Sequence, residues 1–136
     1  MRPDDNETRF DLVPYFHGKI LDISEGRSRA FPHFISHIEL GIDEPHKVDM
    51  LADKSIDGIL SSNLLHLFDT EDCKKAVEAW RRIVRPGGHI MIHLPISHEK
   101  ERWSVSYETI VELMEFATDM VFHKENQESY LSVFRL

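Results

Sequence analysis

One cysteine, Cys73, stands in 136 residues, so no disulfide can form within the chain. That suits a reducing compartment, and a cytoplasmic protein is expected. Positive charge is also short. Sixteen Lys and Arg face twenty-four Asp and Glu, a formal net charge of −8. Sequence-independent nucleic-acid binding needs many cationic phosphate contacts, so no nucleic-acid partner is expected, and the local cluster Arg27 to Arg29 does not reverse this. No apolar run approaches the ~20 residues that a membrane span requires. The first residues, MRPDDNETR, have no apolar core of the kind a signal peptide carries. Internal repeats and low-complexity segments are absent too, and a single compact domain over residues 1–136 is expected.

What is present is an ordinary globular balance, 41% hydrophobic and 29% charged. Residues 1–8 read as a loose arm, and RFDLVPYF (9–16) as a turn or short helix. Strands are expected at 19–23, 34–40 and 56–62, with a weaker one at 46–51, HKVDML. Ala76, Val77, Trp80, Ile83 and Val84 recur at helical spacing. Asp69 or Thr70 caps the start of that helix, and Pro86 and Gly87-Gly88 close it. A fifth strand follows at 89–95, then a helix over roughly 106–118 carrying Tyr107, Ile110, Val111, Met114 and Ala117. MVFHK, the polar ENQE and SYLSVFRL predict a closing β-hairpin at a sheet edge. Strands separated by helices imply an α/β fold with a mostly parallel sheet, and ligands of such sheets sit beyond the carboxyl ends of the strands.

The stretch DKSIDGILSSNLLHLFDTEDCKKAVEAWRRIVRPGGHIMIHLP (53–95) is where the chain resembles a known family. It is similar to class I S-adenosylmethionine-dependent methyltransferases of the compact, type 11-like kind, and RIVRPGG (82–88) fits that family's turn into strand five closely. The resemblance runs from about residue 9 to 136. It implies a Rossmann-like sheet, trimmed of helices between the first strands, with S-adenosylmethionine as cofactor. The family's first-strand motif is Asp/Glu-x-Gly-x-Gly-x-Gly. Here it reads Asp22-Ile23-Ser24-Glu25-Gly26-Arg27-Ser28, a degenerate form that keeps the acid and the middle glycine. A glycine lets the backbone turn tightly and approach a ligand without a Cβ, and serine takes up part of that space.

By this resemblance Asp22, Ser24 and Gly26 hold the methionine end of the cofactor. Glu39, with His37 as its rival, accepts from the ribose hydroxyls. Asp49 meets the adenine amino group while Met50 packs on the ring. Ser61, Ser62 and Asn63 line the space between cofactor and substrate, near Trp103. His66 is the candidate general base, because an unperturbed imidazole titrates near ~6.5, although the family's frequent histidine falls one place later, on Leu67. His89, His93 and His98 lack an acid-rich partner shell, and no metal is expected. The leading reading is methyl transfer to a small molecule, a sugar or a lipid-linked acceptor. A second is a non-catalytic domain of the same ancestry serving as a binding module or homodimer. A third is binding of another adenosine-containing ligand through the same acids.

Overall fold

A computed structural model describes residues 11–23, 35, 36, 40, 42–44, 46–62, 64, 65, 68–95 and 107–136. Its elements are β1 (Ile20–Asp22), β2 (Ile35–Ser36), β3 (Ile56–Ser62), α1 (Thr70–Ile83), β4 (Val84–Pro95), α2 (Tyr107–Leu113), β5 (Asp119–Glu125) and β6 (Ser129–Arg135), preceded by a 3-10 turn at Val13–Tyr15. The six strands form one sheet in the order β2-β1-β3-β4-β6-β5. β2, β1, β3 and β4 run parallel, and β6 is antiparallel to both β4 and β5. This is the α/β, Rossmann-like, mostly parallel arrangement with a closing antiparallel hairpin that the sequence predicts. Among the described residues no helix lies between β1 and β3.

Helix α1 forms where an apolar stripe meets good ends. The Asp69 carboxylate accepts from the Asp72 backbone N–H at 2.8 Å, and Glu71 and Asp72 favour the positive end of the helix dipole. Cys73, Ala76, Val77, Trp80 and Ile83 are the buried face. The helix ends at Ile83, before Pro86 is reached, because the residue preceding a proline is driven out of the helical region and Val84 is already extended. Instead of a simple turn, Val84 to Gly88 is the irregular start of β4. From the pair Ile56–Val84 to the pair Gly58–His89 the sheet advances two residues along β3 and five along β4. Gly87 takes up a φ of +84°, and a Cβ on Gly88 would lie 2.5 Å from the Asp57 carbonyl oxygen, so both glycines are used by this bulge.

Three further boundaries differ from the sequence expectation. Residues 46–51 are turn, not strand: Val48 is buried in the core and Leu51 packs against it half-buried, Lys47, Asp49 and Met50 are exposed, and the Leu51 N–H closes back on the Val48 carbonyl at 2.9 Å. Of the expected strand 34–40, residues 35 and 36 are strand and Leu40 is in a turn, while Phe34 and residues 37–39 lie outside the described residues. Helix α2 stops at Leu113 and tightens through turns, because the Thr118 N–H is already bonded to the Arg135 carbonyl of the last strand. The hairpin stands as expected. Asn126 Oδ1 accepts from the N–H groups of Glu128 and Ser129, which fixes its turn.

The sheet separates two apolar layers. One face carries Leu21, Ile59, Ile90, Ile92, Tyr130 and Phe134 and is packed by α1 and α2. The other carries Ile20, Leu60, Met91, Leu131 and Val133, and among the described residues it is covered by Leu12, Tyr15 and Phe16.

Candidate functional site

Parallel strands place their carboxyl ends along one rim, and Asp22, Ser61 and Ser62 stand there. Asp22 ends β1, paired with Ser36 on one side and Leu60 on the other, and is 6% exposed. The following N–H, of Ile23, donates to the Leu60 carbonyl at 2.8 Å, so the chain leaves the sheet only after Asp22 is fixed. β3 contributes Ser61 and Ser62, whose side chains take opposite faces by strand alternation. Ser61 lies on the helix-covered face, fully buried, and its Oγ has no hydrogen-bond partner among the described residues.

Ser62 lies on the other face, the face of Asp22, and its Oγ is 3.1 Å from Nδ1 of His93 on β4. His93 is 4% exposed and sits directly opposite Ser62 in the β3–β4 register. The sequence reading passed over this pair as a pair. Its only signal was a histidine in the otherwise apolar run Ile90 to Leu94.

Asp49 and Met50 form an exposed turn on the β2–β3 connection, and Met50 is 60% exposed. They are anchored from the last turn of α1. Arg82 Nη2 donates to the Val48 carbonyl at 3.1 Å, and its Nη1 donates to the Leu51 carbonyl at 2.9 Å and to Asp53 Oδ1 at 2.6 Å. The helix terminus leads straight into Val84, which pairs with Ile56 at the start of β3, so these anchors lie toward the amino ends of the strands. Asp22 and Ser61 thus stand at the rim, and the turn of Asp49 and Met50 is anchored by Arg82 on either side of it. Arg82, off the apolar stripe of α1, is the clamp of this turn. Ser24, Gly26, Glu39, Asn63 and His66, with His37, His98 and Trp103, lie outside the described residues.

At the opposite end of the strands a second polar centre has a structural character. The Asp57 carboxylate accepts from the Lys19 N–H at 2.8 Å and from Arg85 Nη1 at 2.8 Å. These two donors, the Lys19 amide first, hold its pKa below the usual carboxylate range. Nearby, burial and then the neighbouring His17 push the His89 pKa down.

The profile of the family described as "Methyltransferase domain" matches residues 21–92, which spans β1 through most of β4. No curated protein matches the chain. Among solved structures, it is similar to 1,6-didemethyltoxoflavin-N1-methyltransferase of Burkholderia thailandensis, a structure with bound 1,6-didemethyltoxoflavin and S-adenosylhomocysteine. The TM-score is 0.76 at 14% identity, over 98% of this chain and 78% of that one. A SAM-dependent methyltransferase from Aquifex aeolicus superposes with a TM-score of 0.68 at 15% identity, over 98% and 93% of the two chains. The N-methyltransferase NodS of Bradyrhizobium japonicum, in complex with S-adenosylhomocysteine, does so with a TM-score of 0.68 at 14% identity, over 98% and 88%.

Proposed function

We infer the function from one premise: this chain belongs to the methyltransferase-domain family. We propose that it binds S-adenosylmethionine at the carboxyl rim of the sheet and transfers the methyl group to a small molecule, a sugar or a lipid-linked acceptor. Bound there, the cofactor supplies a methyl group on a positively charged sulfur. The chain's own work is to hold and align. Asp22, with Ser24 and Gly26 after it, takes the methionine end, Glu39 the ribose, and Asp49 with Met50 the adenine. The exposed Met50 side chain offers the apolar surface that a ring covers. Ser61, Asn63 and His66 border the acceptor. Attack on an activated methyl group demands chiefly alignment of the nucleophile with the carbon–sulfur bond.

The observation that carries this reading is Asp22, a carboxylate only 6% exposed, at the end of an interior parallel strand, with the Ser61 hydroxyl near the end of neighbouring β3 buried on the opposite face and without a partner among the described residues. A buried hydroxyl such as that of Ser61 is costly unless it finds a partner, and a polar ligand at the rim provides one. The neighbouring structures with S-adenosylhomocysteine support the choice of ligand. The lone cysteine suits a cytoplasmic setting for the reaction.

Calorimetric titration with S-adenosylmethionine and S-adenosylhomocysteine tests the proposal. Binding in the range of about 1–100 μM is expected, and Glu39→Ala is expected to abolish it. No heat and no thermal shift with either ligand, at concentrations far above that range, would overturn it and leave the non-catalytic reading.

A further inference from the structure

We propose that Ser62 and His93 form a proton-accepting pair for the methyl acceptor, with Ser62 Oγ facing the acceptor and His93 Nδ1 behind it. The inference rests on the methyl-transfer reading above, and it deepens that reading by assigning where the acceptor's proton goes. Four observations carry it. Ser62 ends β3, and His93 stands opposite it on the adjacent parallel strand, two residues before the end of β4, near the rim where ligands of such sheets bind. Their side chains touch, Oγ to Nδ1, at 3.1 Å. Ser62 is half-buried whereas His93 is buried, so Ser62 is the member of the pair nearer to solvent. And both stand on the face of the sheet that Asp22 occupies, away from the helices.

The pair divides the work of a general base. As the acceptor's lone pair bonds to the methyl carbon, the carbon–sulfur bond breaks and its electrons stay on sulfur, giving S-adenosylhomocysteine. The acceptor's proton moves to Ser62 Oγ while the Ser62 hydroxyl proton moves to His93 Nδ1, leaving an imidazolium. Charge balances: one positive charge leaves the sulfur and one appears on His93. An imidazole is suited to this because its ordinary titration lies near neutrality. The relay requires Nδ1 as acceptor and Nε2 as the protonated nitrogen in the resting state.

Charged groups among the described residues lie on the face of His93. Asp22 lies on the same face two strands away. On the hairpin side, Leu131 is the cross-strand neighbour, and beyond it Lys124 is paired with Asp11 of the amino-terminal segment. The Lys124 ammonium lies 3.1 Å from the Asp11 carboxylate.

The test compares the two cofactor forms on the unmodified protein. S-adenosylmethionine and S-adenosylhomocysteine differ by one methyl group and one positive charge. The His93 imidazole resonances, identified by their loss in His93→Gln, are followed against pH by NMR in each complex. A cation close to the pair disfavours the imidazolium, so the His93 midpoint is expected to be lower with S-adenosylmethionine by about half a unit or more. Ser62→Ala is expected to change the Nδ1 shift toward that of an imidazole without this hydrogen bond. Equal midpoints in the two complexes would overturn the assignment. So would an imidazole that stays neutral throughout the range of about pH 5–9. Calorimetry on the same samples separates the two levels. No binding of either ligand takes down the cofactor reading as well, whereas binding with equal midpoints removes the pair alone.

Discussion

Ser61 keeps a hydroxyl in a place where it bonds to nothing among the described residues. A buried, unsatisfied hydroxyl costs about 1–3 kcal/mol, and replacing it by a methyl group of similar shape removes that cost. Ser61→Ala is therefore expected to leave stability unchanged or raise it by about 1 kcal/mol in urea unfolding. The same substitution is expected to weaken S-adenosylhomocysteine binding in calorimetry. Lower stability with unchanged binding would show that Ser61 serves the core rather than the ligand. At this scale the sequence was legible in part. Asp22 and Ser61 were recognised from the motifs that flank them, and both prove to be buried at the rim. His93 was not recognised as Ser62's neighbour, because its partner depends on the β3–β4 register. That register is set by the bulge from Val84 to Gly88, a three-dimensional offset with no mark in residue spacing.

Single elements are joined here by a few charged side chains that reach across them. Arg82 binds α1 to the turn at Val48–Asp53 through two carbonyls and a carboxylate. Arg82→Ala is expected to destabilise the fold by about 1–3 kcal/mol, the range for losing charged hydrogen bonds at a partly buried site. Arg82→Lys should recover little, since an ammonium group has no fork to serve both carbonyls. If Asp49 and Met50 hold adenine, calorimetry will also show weaker S-adenosylhomocysteine binding in the variant. Asp57 joins β3 to Lys19 before β1 and to Arg85 of β4. Its pKa is depressed in the folded state, so its contribution is complete above the ordinary carboxylate range and fades as pH falls through the folded value. Stability is therefore expected to fall below about pH 4. Asp57→Asn should flatten that part of the curve in chemical unfolding measured against pH. Helix α1 could be read residue by residue, since stripe, cap and terminus are all local. The strand expected at 46–51 could not. Val48 and Leu51 look like strand residues until Arg82, more than thirty positions away, claims the carbonyls that a ladder would have used.

At the scale of the whole molecule, Cys73 is a probe of global opening. It is buried in the α1 face, its Sγ donates to the Leu65 carbonyl at 3.2 Å, and burial, reinforced by Asp69 and Asp72, pushes its pKa up to about 11. A thiol so protonated and so enclosed reacts slowly. Labelling with a disulfide reagent at about pH 8, below even an ordinary thiol pKa, is expected to proceed at the rate of unfolding and to accelerate in parallel with the loss of helix in urea. Fast labelling of the folded protein would show that α1 opens by itself. The layered architecture was legible because alternation in the strands and the helical stripe agree on one core. The strand order was foreseen only in outline, since the reading had the hairpin at an edge without saying which of its strands would face β4.

That order has a consequence for biosynthesis. β6, made after every other strand, is inserted between β4 and β5. While the ribosome is still adding it, the flank of β4 along Ile90 to Leu94 has no neighbour, and its unpaired amides and carbonyls form a template open to other nascent chains. A chaperone that shelters the unfinished polypeptide would matter most in the interval between the emergence of β4 and the arrival of the final strand.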